Sequence, residues 1–512
     1  MGWGPDFVSA LSGSDGVLTP FFVVEAVPIP EGAAAAFGAD LKLSSFQTPG
    51  YQAIIQIDGS SVSYGELQAR AWKASSMSWS IGLAGDHAAG VVRADARRGQ
   101  PVQLRVGFSR DLSTFETVAV GTVFNVERRG GRWSLVIKDL AGSLVSRISD
   151  TSVGGSLFFD LASTALTSGY TPGDGSVSVG TTVGFRTDGG GIGVVRITPT
   201  TGDPFFLSYT GTTASTFTGL SASGRFGTTA VAAVSTDEVS EVAYIVDHPI
   251  AILRRILVST GTATNSTHDD LPESWGYGIP ASHVALDDMT SFIQDTNPAG
   301  SDNQEMISDV AQGNPKSFLD SWLSGAGYFL TTHQGQITCR AALDPKDQRT
   351  PGHIEIGDHD IAEIEEYQAF DRNSPVEYRS SKVVPASGAG FNSLDTFVQS
   401  LPVAEVLEHP LPGLYSTNAN FSAIRAEHAD RLKIWDFKIP ERIVLRLANW
   451  RGAIPSPGDT VSFTTSLIVD REGHPFSGRR GMVIQSGARW FGATSRVSIL
   501  FLPTALVAQP AP

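Results

Sequence analysis

Residues 189–246 read GGGIGVVRITPTTGDPFFLSYTGTTASTFTGLSASGRFGTTAVAAVSTDEVSEVAYIV. Short apolar runs are broken every few residues by Gly, Thr-Gly or Gly-Asp. Val195 and Ile197 alternate with their neighbours, Phe205, Leu207 and Tyr209 repeat the pattern, and Phe217 follows. Period-two spacing places alternate side chains on one face of a strand, and the glycine turns reverse the chain. With its approach from Ser156, the stretch predicts a small β-module with little chemistry in it.

The same pattern extends outward. Tyr51 to Ile57 and Met77 to Ile81 read as strands, as do Val102, Leu104, Val106 and Phe108, with one buried face. Val118, Val120, Phe124 and Val126 form the next strand, and Trp133, Leu135 and Ile137 the return. Between these two lies Arg128-Arg129-Gly130-Gly131-Arg132, where a Gly-Gly pair tolerates the positive φ of a tight hairpin. Toward the C-terminus, ERIVLRLANW (441–450), PSPGDTVSFTT (455–465) and GMVIQSGARWFGATSRVSILFLP (481–503) are strands again.

Helical spacing is rarer. Asp247 can cap a helix in which Pro249 lies in the first turn and Ile250, Leu253 and Leu257 make the apolar stripe, with Ile252 and Ile256 beside it. Gly261 would stop it. A second helix is expected from Pro315 to Ser324, capped by Asn314, with Phe318, Leu319, Trp322 and Leu323 buried. GYFLTTHQGQITCRAAL (327–343) reads as a hairpin about Gln334-Gly335, and Phe421, Ile424, His428 and Leu432 as a helix capped by Asn420.

Composition agrees with a chain that is mainly β with a smaller α/β part. Its 512 residues allow roughly three or four domains. The 54 glycines and 28 prolines exceed the usual ~12% share, so turns are frequent. Cys339 is alone, which excludes an intrachain disulfide and a cysteine-based metal site and fits a reducing cytoplasm. No basic-then-apolar leader opens the sequence, and no run approaches ~18 apolar residues, so no membrane-spanning segment is expected. A net charge of −15 argues against sequence-specific nucleic-acid binding, which needs basic patches, and suits a conduit that DNA passes without sticking. Arg97-Arg98 and Arg128-Arg129 read as solvated strand ends.

Two polar clusters hold residues capable of chemistry. Asn265, His268, Asp269, Asp270 and Glu273 hold one histidine among carboxylates, but without an i, i+4 histidine pair or HExxH they read as a polar loop before Pro272. His353, Asp358, His359 and Asp360 read as a turn between strands, followed by a solvated face of Glu363, Glu365 and Glu366. The glycine-rich run 173–193 lacks the lysine of a phosphate loop, and Asn265-Ser266-Thr267 is a glycosylation acceptor without a secretory context. Catalytic, cofactor-binding and metal sites are therefore expected to be none.

The order of motifs resembles the baseplate hub and minor tail proteins of tailed bacteriophages and gene transfer agents. Gly202-Asp203, Tyr209-Thr210-Gly211, Phe217-Thr218-Gly219 and Gly227-Thr228 are similar to a β-module of that family. Gly99, Gly107-Phe108, Gly121-Thr122-Val123 and Asp139 match its first barrel. Pro249, Gly261, Asp270-Leu271-Pro272, Trp275-Gly276 and Gly278-Ile279-Pro280 match the stretch after the inserted module. Gly458-Asp459-Thr460-Val461, Gly481-Met482-Val483 and Arg496 to Leu502 match its closing strands. The resemblance implies two tail-tube-like β-barrels, at 1–155 and 371–512, an inserted β-module at 156–246 and an α/β domain at 247–370. It implies a structural virion protein and not an enzyme: a homotrimer at the tail tip, assembled in the host cytoplasm. Its partners would be a distal tail protein ring, the tape measure protein and a central tail fibre or spike, and genome passage its task. The other readings are a tail-associated cell-wall or glycan hydrolase and a receptor-binding adhesin. Convergent catalytic residues would favour the first, and exposed aromatics on the module the second.

Overall fold

Alternating strands carry one apolar face that must be covered, and among the described residues the chain gathers 14 such strands into one sheet that curves over its own core. The computed structural model describes residues 19–27, 41–63, 67–68, 73–74, 78–84, 99–129, 132–140, 162–185, 192–225, 228–247, 249–258, 279–285, 304–308, 323, 328–333, 335–341, 354–369, 376–382, 393–397, 405–411, 414–415, 440–489 and 494–502. The main sheet runs Ile361–Ala369, Glu441–Leu447, Thr494–Phe501, Pro475–Arg489, Ile55–Ser63, Ser78–Leu83, Arg132–Asp139, Glu116–Arg129, Pro101–Gly107, Phe21–Ala26, Lys42–Ser44 and Gln52–Ala53. The protein is thus mostly β, with a nearly closed β-barrel and a half-barrel.

N- and C-terminal strands meet inside that sheet. Gly487, Ala488 and Arg489 pair with Ser63, Val62 and Ser61. Strand Pro475–Arg489 makes this possible by changing partners. Its first half pairs with Thr460–Val469, its last residues with Ile55–Ser63, and a register shift between Val483 and Gln485 marks the bend against Thr494–Phe501. Ile354–Ile356 adds a parallel pairing to Val461, Ser462 and Phe463.

Two large apolar cores and a smaller one of Val23, Phe46 and Phe115 line this sheet among the described residues. One large core gathers Phe22, Val24, Trp79, Val102, Leu104 and Leu135, and it also takes in Trp450, Ile454 and Ala488 from the C-terminal region. The other gathers Ile443, Leu445, Phe463, Phe476, Ile499 and Phe501. The shared residues make the two lobes one packed body.

The quoted module has its own core of Tyr170, Val195, Ile197, Phe205, Leu207 and Phe217, among others. Gly193–Thr198 pairs with Phe205–Tyr209 on one side and Glu238–Asp247 on the other. Strand Glu238–Asp247 then leaves the module: Ala243 to Asp247 pair with Gln304–Ser308.

Several expectations meet the structure directly. The hairpin at Arg128–Arg132 closes with Arg129 opposite Arg132. The hairpin about Gln334-Gly335 closes with His333 opposite Gln336, and Gly335 takes φ +76. Helix Pro249–Val258 buries Ile250, Leu253, Ile256 and Leu257. Asp247 pairs with Gln304 at the end of the preceding strand, and its expected capping contact lies outside the described side chains. Phe124 does not share the face of Val118 and Val120. Val136 and Ile137 face Asn125 and Val123, so Phe124 is the extra residue of a bulge and is 39% exposed, with the Lys138 ammonium over its ring. Of the helix expected at Pro315–Ser324 only Leu323, which is buried, belongs to the described residues. The helix near 420–433 lies outside them, as does Gly261.

Candidate functional site

The 358–366 part of the second cluster forms a structural turn and an ion-paired surface. Asp358, His359 and Asp360 form a short 3-10 turn between two strands. Asp360 is buried, and its carboxylate accepts from Gly357 N at 3.0 Å, Asn449 Nδ2 at 2.8 Å and Arg451 Nη1 at 3.0 Å. His359 Nε2 lies 3.3 Å from the same carboxylate, on an exposed ring. Asp358 accepts from the Thr465 hydroxyl and from Ser466, and these bonds, Thr465's foremost, hold its carboxyl below the usual range. Glu363 pairs with Arg446 on the neighbouring strand, and Glu365 with Arg496 at 2.6 Å on the strand beyond it. His353 and the group Asn265, His268, Asp269, Asp270 and Glu273 lie outside the described residues.

A third acid–histidine group, Asp470, Glu472 and His474, brings its ligand atoms within 4.8 Å of one another. Its chemistry is that of a turn. Asp470 Oδ1 accepts from Glu472 N and His474 N, both at 2.9 Å, and Oδ2 faces Arg479 Nη1 at 3.3 Å. A carboxylate already shared by two amides and a guanidinium has little left for a cation.

The polar centre that ties the molecule together was not foreseen from the sequence. Three segments converge on it: the end of strand Arg132–Asp139, the hairpin Tyr328–Ala341 and the loop around Ser456 to Asp459. Thr332 Oγ1 donates to Asp139 Oδ2 at 2.8 Å, and Ser456 Oγ donates to Thr332 O at 3.2 Å. Asp459 accepts from Ser456 N at 2.8 Å and pairs with Arg340 Nε at 3.1 Å. His333 Nδ1 lies 2.7 Å from Ser456 Oγ and 3.6 Å from Asp459 Oδ2. Asp139, Thr332, Ser456 and Asp459 are all buried.

Local backbone explains how these segments come so close. Gly458 adopts φ +93, and a Cβ there would stand 2.5 Å from the Phe329 ring, so only glycine admits the hairpin. At the hairpin tip, a Cβ on Gly335 would stand 2.8 Å from Val120 Cγ2. The Gly458-Asp459 turn was visible as a motif. Its partners lie over a hundred positions away, and no spacing rule links them.

Serine, histidine and aspartate together invite comparison with a nucleophilic relay. Such a relay needs the acid on one ring nitrogen and the serine on the other. Here both face Nδ1, and Ser456 is fully buried. Cys339 offers no alternative nucleophile, since burial pushes its thiol up to about 12. On the described part of the module, Tyr170, Phe185, Phe205, Phe206, Tyr209 and Phe217 are all buried, so they form no aromatic platform for a sugar. Among the described residues no helix is long and apolar enough to cross a membrane.

No protein-family model and no curated protein matches the sequence. Among solved structures, the chain is similar to a tail protein from Neisseria meningitidis MC58, at 10% identity and a TM-score of 0.37, over 94% of this chain and 96% of that one. It is similar to the 43 kDa tail protein of prophage MuSo2 from Shewanella oneidensis, at 9% identity and a TM-score of 0.36, over 94% and 97%. It is also similar to a prophage tail protein from Listeria monocytogenes EGD-e, at 8% identity and a TM-score of 0.34, over 95% and 96%.

Proposed function

We propose that the chain is a structural part of a phage-type tail, and within it the baseplate hub that caps the tail tube. The observation that carries the reading is the joining of N- and C-terminal strands in one sheet through Gly487–Arg489 and Ser61–Ser63. One chain thereby offers two β lobes joined through one sheet. Three chains would offer six similar contacts, which suits a trimer beneath a sixfold tube ring. The motif order from Gly99 to Leu502 supports the same reading.

The division into 1–155, 156–246, 247–370 and 371–512 belongs to this proposal. So do the homotrimer, the distal tail protein ring, the tape measure protein and the central fibre or spike as partners, and the tail tip as location. The hub would hold the fibre and let the genome pass. A polar centre committed to internal bonds favours this over a hydrolase. The test is direct. Purified chain should run as a trimer by light scattering and leave peptidoglycan and host glycans intact. A monomer that cleaves either would overturn the proposal.

A further inference from the structure

We propose that the core of the C-terminal lobe holds a built site for one water molecule, which bridges Glu441 Oε1 and Arg479 Nε. Glu441 opens strand Glu441–Leu447 opposite Phe501, and Arg479 lies on Pro475–Arg489 opposite Phe463. Both side chains turn inward: that of Glu441 is 1% exposed and that of Arg479 9%. The guanidinium carbon of Arg479 lies 5.1 Å from the centre of the Phe476 ring and 5.6 Å from that of Phe501. Both rings belong to the lobe's apolar core.

Counting donors and acceptors isolates two atoms. Glu441 Oε2 accepts from the Tyr367 hydroxyl at 3.2 Å. Burial first, and then the charge of Glu441, push that phenol up to about 12, so it stays a donor. Arg479 Nη1 faces Asp470 Oδ2 at 3.3 Å, and Nη2 donates to Leu502 O at 2.8 Å. Glu441 Oε1 and Arg479 Nε are buried and meet no hydrogen-bond partner among the described residues. Arg479 Nη2 stands 3.6 Å from Oε1, near enough for attraction and too far for a hydrogen bond. Buried polar atoms are rarely left so, and where protein supplies no partner an ordered water does.

The two orphans fix the chemistry of the occupant. Oε1 needs a donor and Nε–H needs an acceptor, so one molecule must be both. A cation would suit the carboxylate and be repelled by the guanidinium, and an anion would do the reverse. A neutral hydroxyl group fits, and with both side chains closed off from solvent the site commits to water. Nε and Nη2 share one rigid guanidinium, which keeps Nε and Oε1 within the span of a single bridging molecule. The bridge ties the start of Glu441–Leu447 to the arginine that also holds the end of Thr494–Phe501 through Leu502 O.

The experiment is a crystal structure of the full chain that resolves ordered water, paired with oxygen-17 magnetic relaxation dispersion, which counts long-lived internal waters in solution. The expected density is one peak at ~2.7–3.2 Å from both Glu441 Oε1 and Arg479 Nε. Glu441→Met combined with Arg479→Met removes both ends of the bridge, and the count should fall by one. Should that variant fail to fold, the wild-type density decides. A peak that touches only one of the two atoms would overturn the site. So would a metal ion or halide in its place, a direct Glu441–Arg479 hydrogen bond with nothing between, or an unchanged count in the folded variant.

Discussion

Asp360 illustrates how much one side chain decides. Three donors converge on its carboxylate and lock the 357–360 turn against Asn449 and Arg451. Asp360→Ala should cost about 3 kcal/mol in unfolding, because a buried acid is lost and its donors are left unpaired; denaturant titration of the purified chain measures it. Asp360→Asn should cost less. Thr236 is a β-branched residue at φ +86, held there by a turn in which Asp237 binds Val234 N and Thr200. Thr236→Gly should stabilise the chain by about 1 kcal/mol, and a lower melting temperature would refute this. His283 carries a pH dependence of known sign. Its imidazole is held low by burial, so the folded state favours the neutral ring. Its contribution is present above the ordinary imidazole range and is lost as pH falls through the depressed value. His283→Gln should flatten the loss of melting temperature between about pH 7 and about pH 5. At this scale the sequence was legible where the pattern was local. The Gly335 turn, the stripe of Ile250, Leu253 and Leu257, and the turn reading of 358–360 all came from near neighbours. Phe124 did not, because a bulge decides it.

Strands, rather than residues, build the architecture, and their partners were the part hidden from the sequence. The alternation of Pro475–Arg489 was visible, but its change of partner from Thr460–Val469 to Ile55–Ser63 was not, since register across 400 positions leaves no local trace. The edge strand Ile361–Ala369 carries Glu363, Glu365 and Glu366 and two register shifts against Glu441–Leu447. Charges and bulges on an edge discourage pairing with another chain, which accounts for acids that have no catalytic partner. The module's core is closed by residues between Leu166 and Val239, so most of it is self-contained. Excision of 162–242 with a short Gly/Ser linker should leave a soluble, folded remainder, because it spares Ala243 to Asp247 and their pairing with Gln304–Ser308. Far-ultraviolet circular dichroism and a cooperative melt would verify it. Aggregation of this remainder, together with failure of the isolated module to fold, would mean the two share one core.

At the scale of the whole molecule, the shared packing matters most. Trp450 stacks on Phe108 at 5.5 Å, and Ile454 and Ala488 complete a core built from N-terminal strands. The His333–Ser456–Asp459 centre adds a polar tie between the same lobes and the hairpin. A body joined in these ways can carry load along a tail without its lobes separating, which is what the hub proposal asks of it. The most direct test is averaged electron microscopy of intact particles in which this chain bears a small tag. The expected result is tag density at the distal tip of the tail, with three copies around its axis. Tag density on the capsid or along the tube, or a single or sixfold copy number at the tip, would contradict the proposed role.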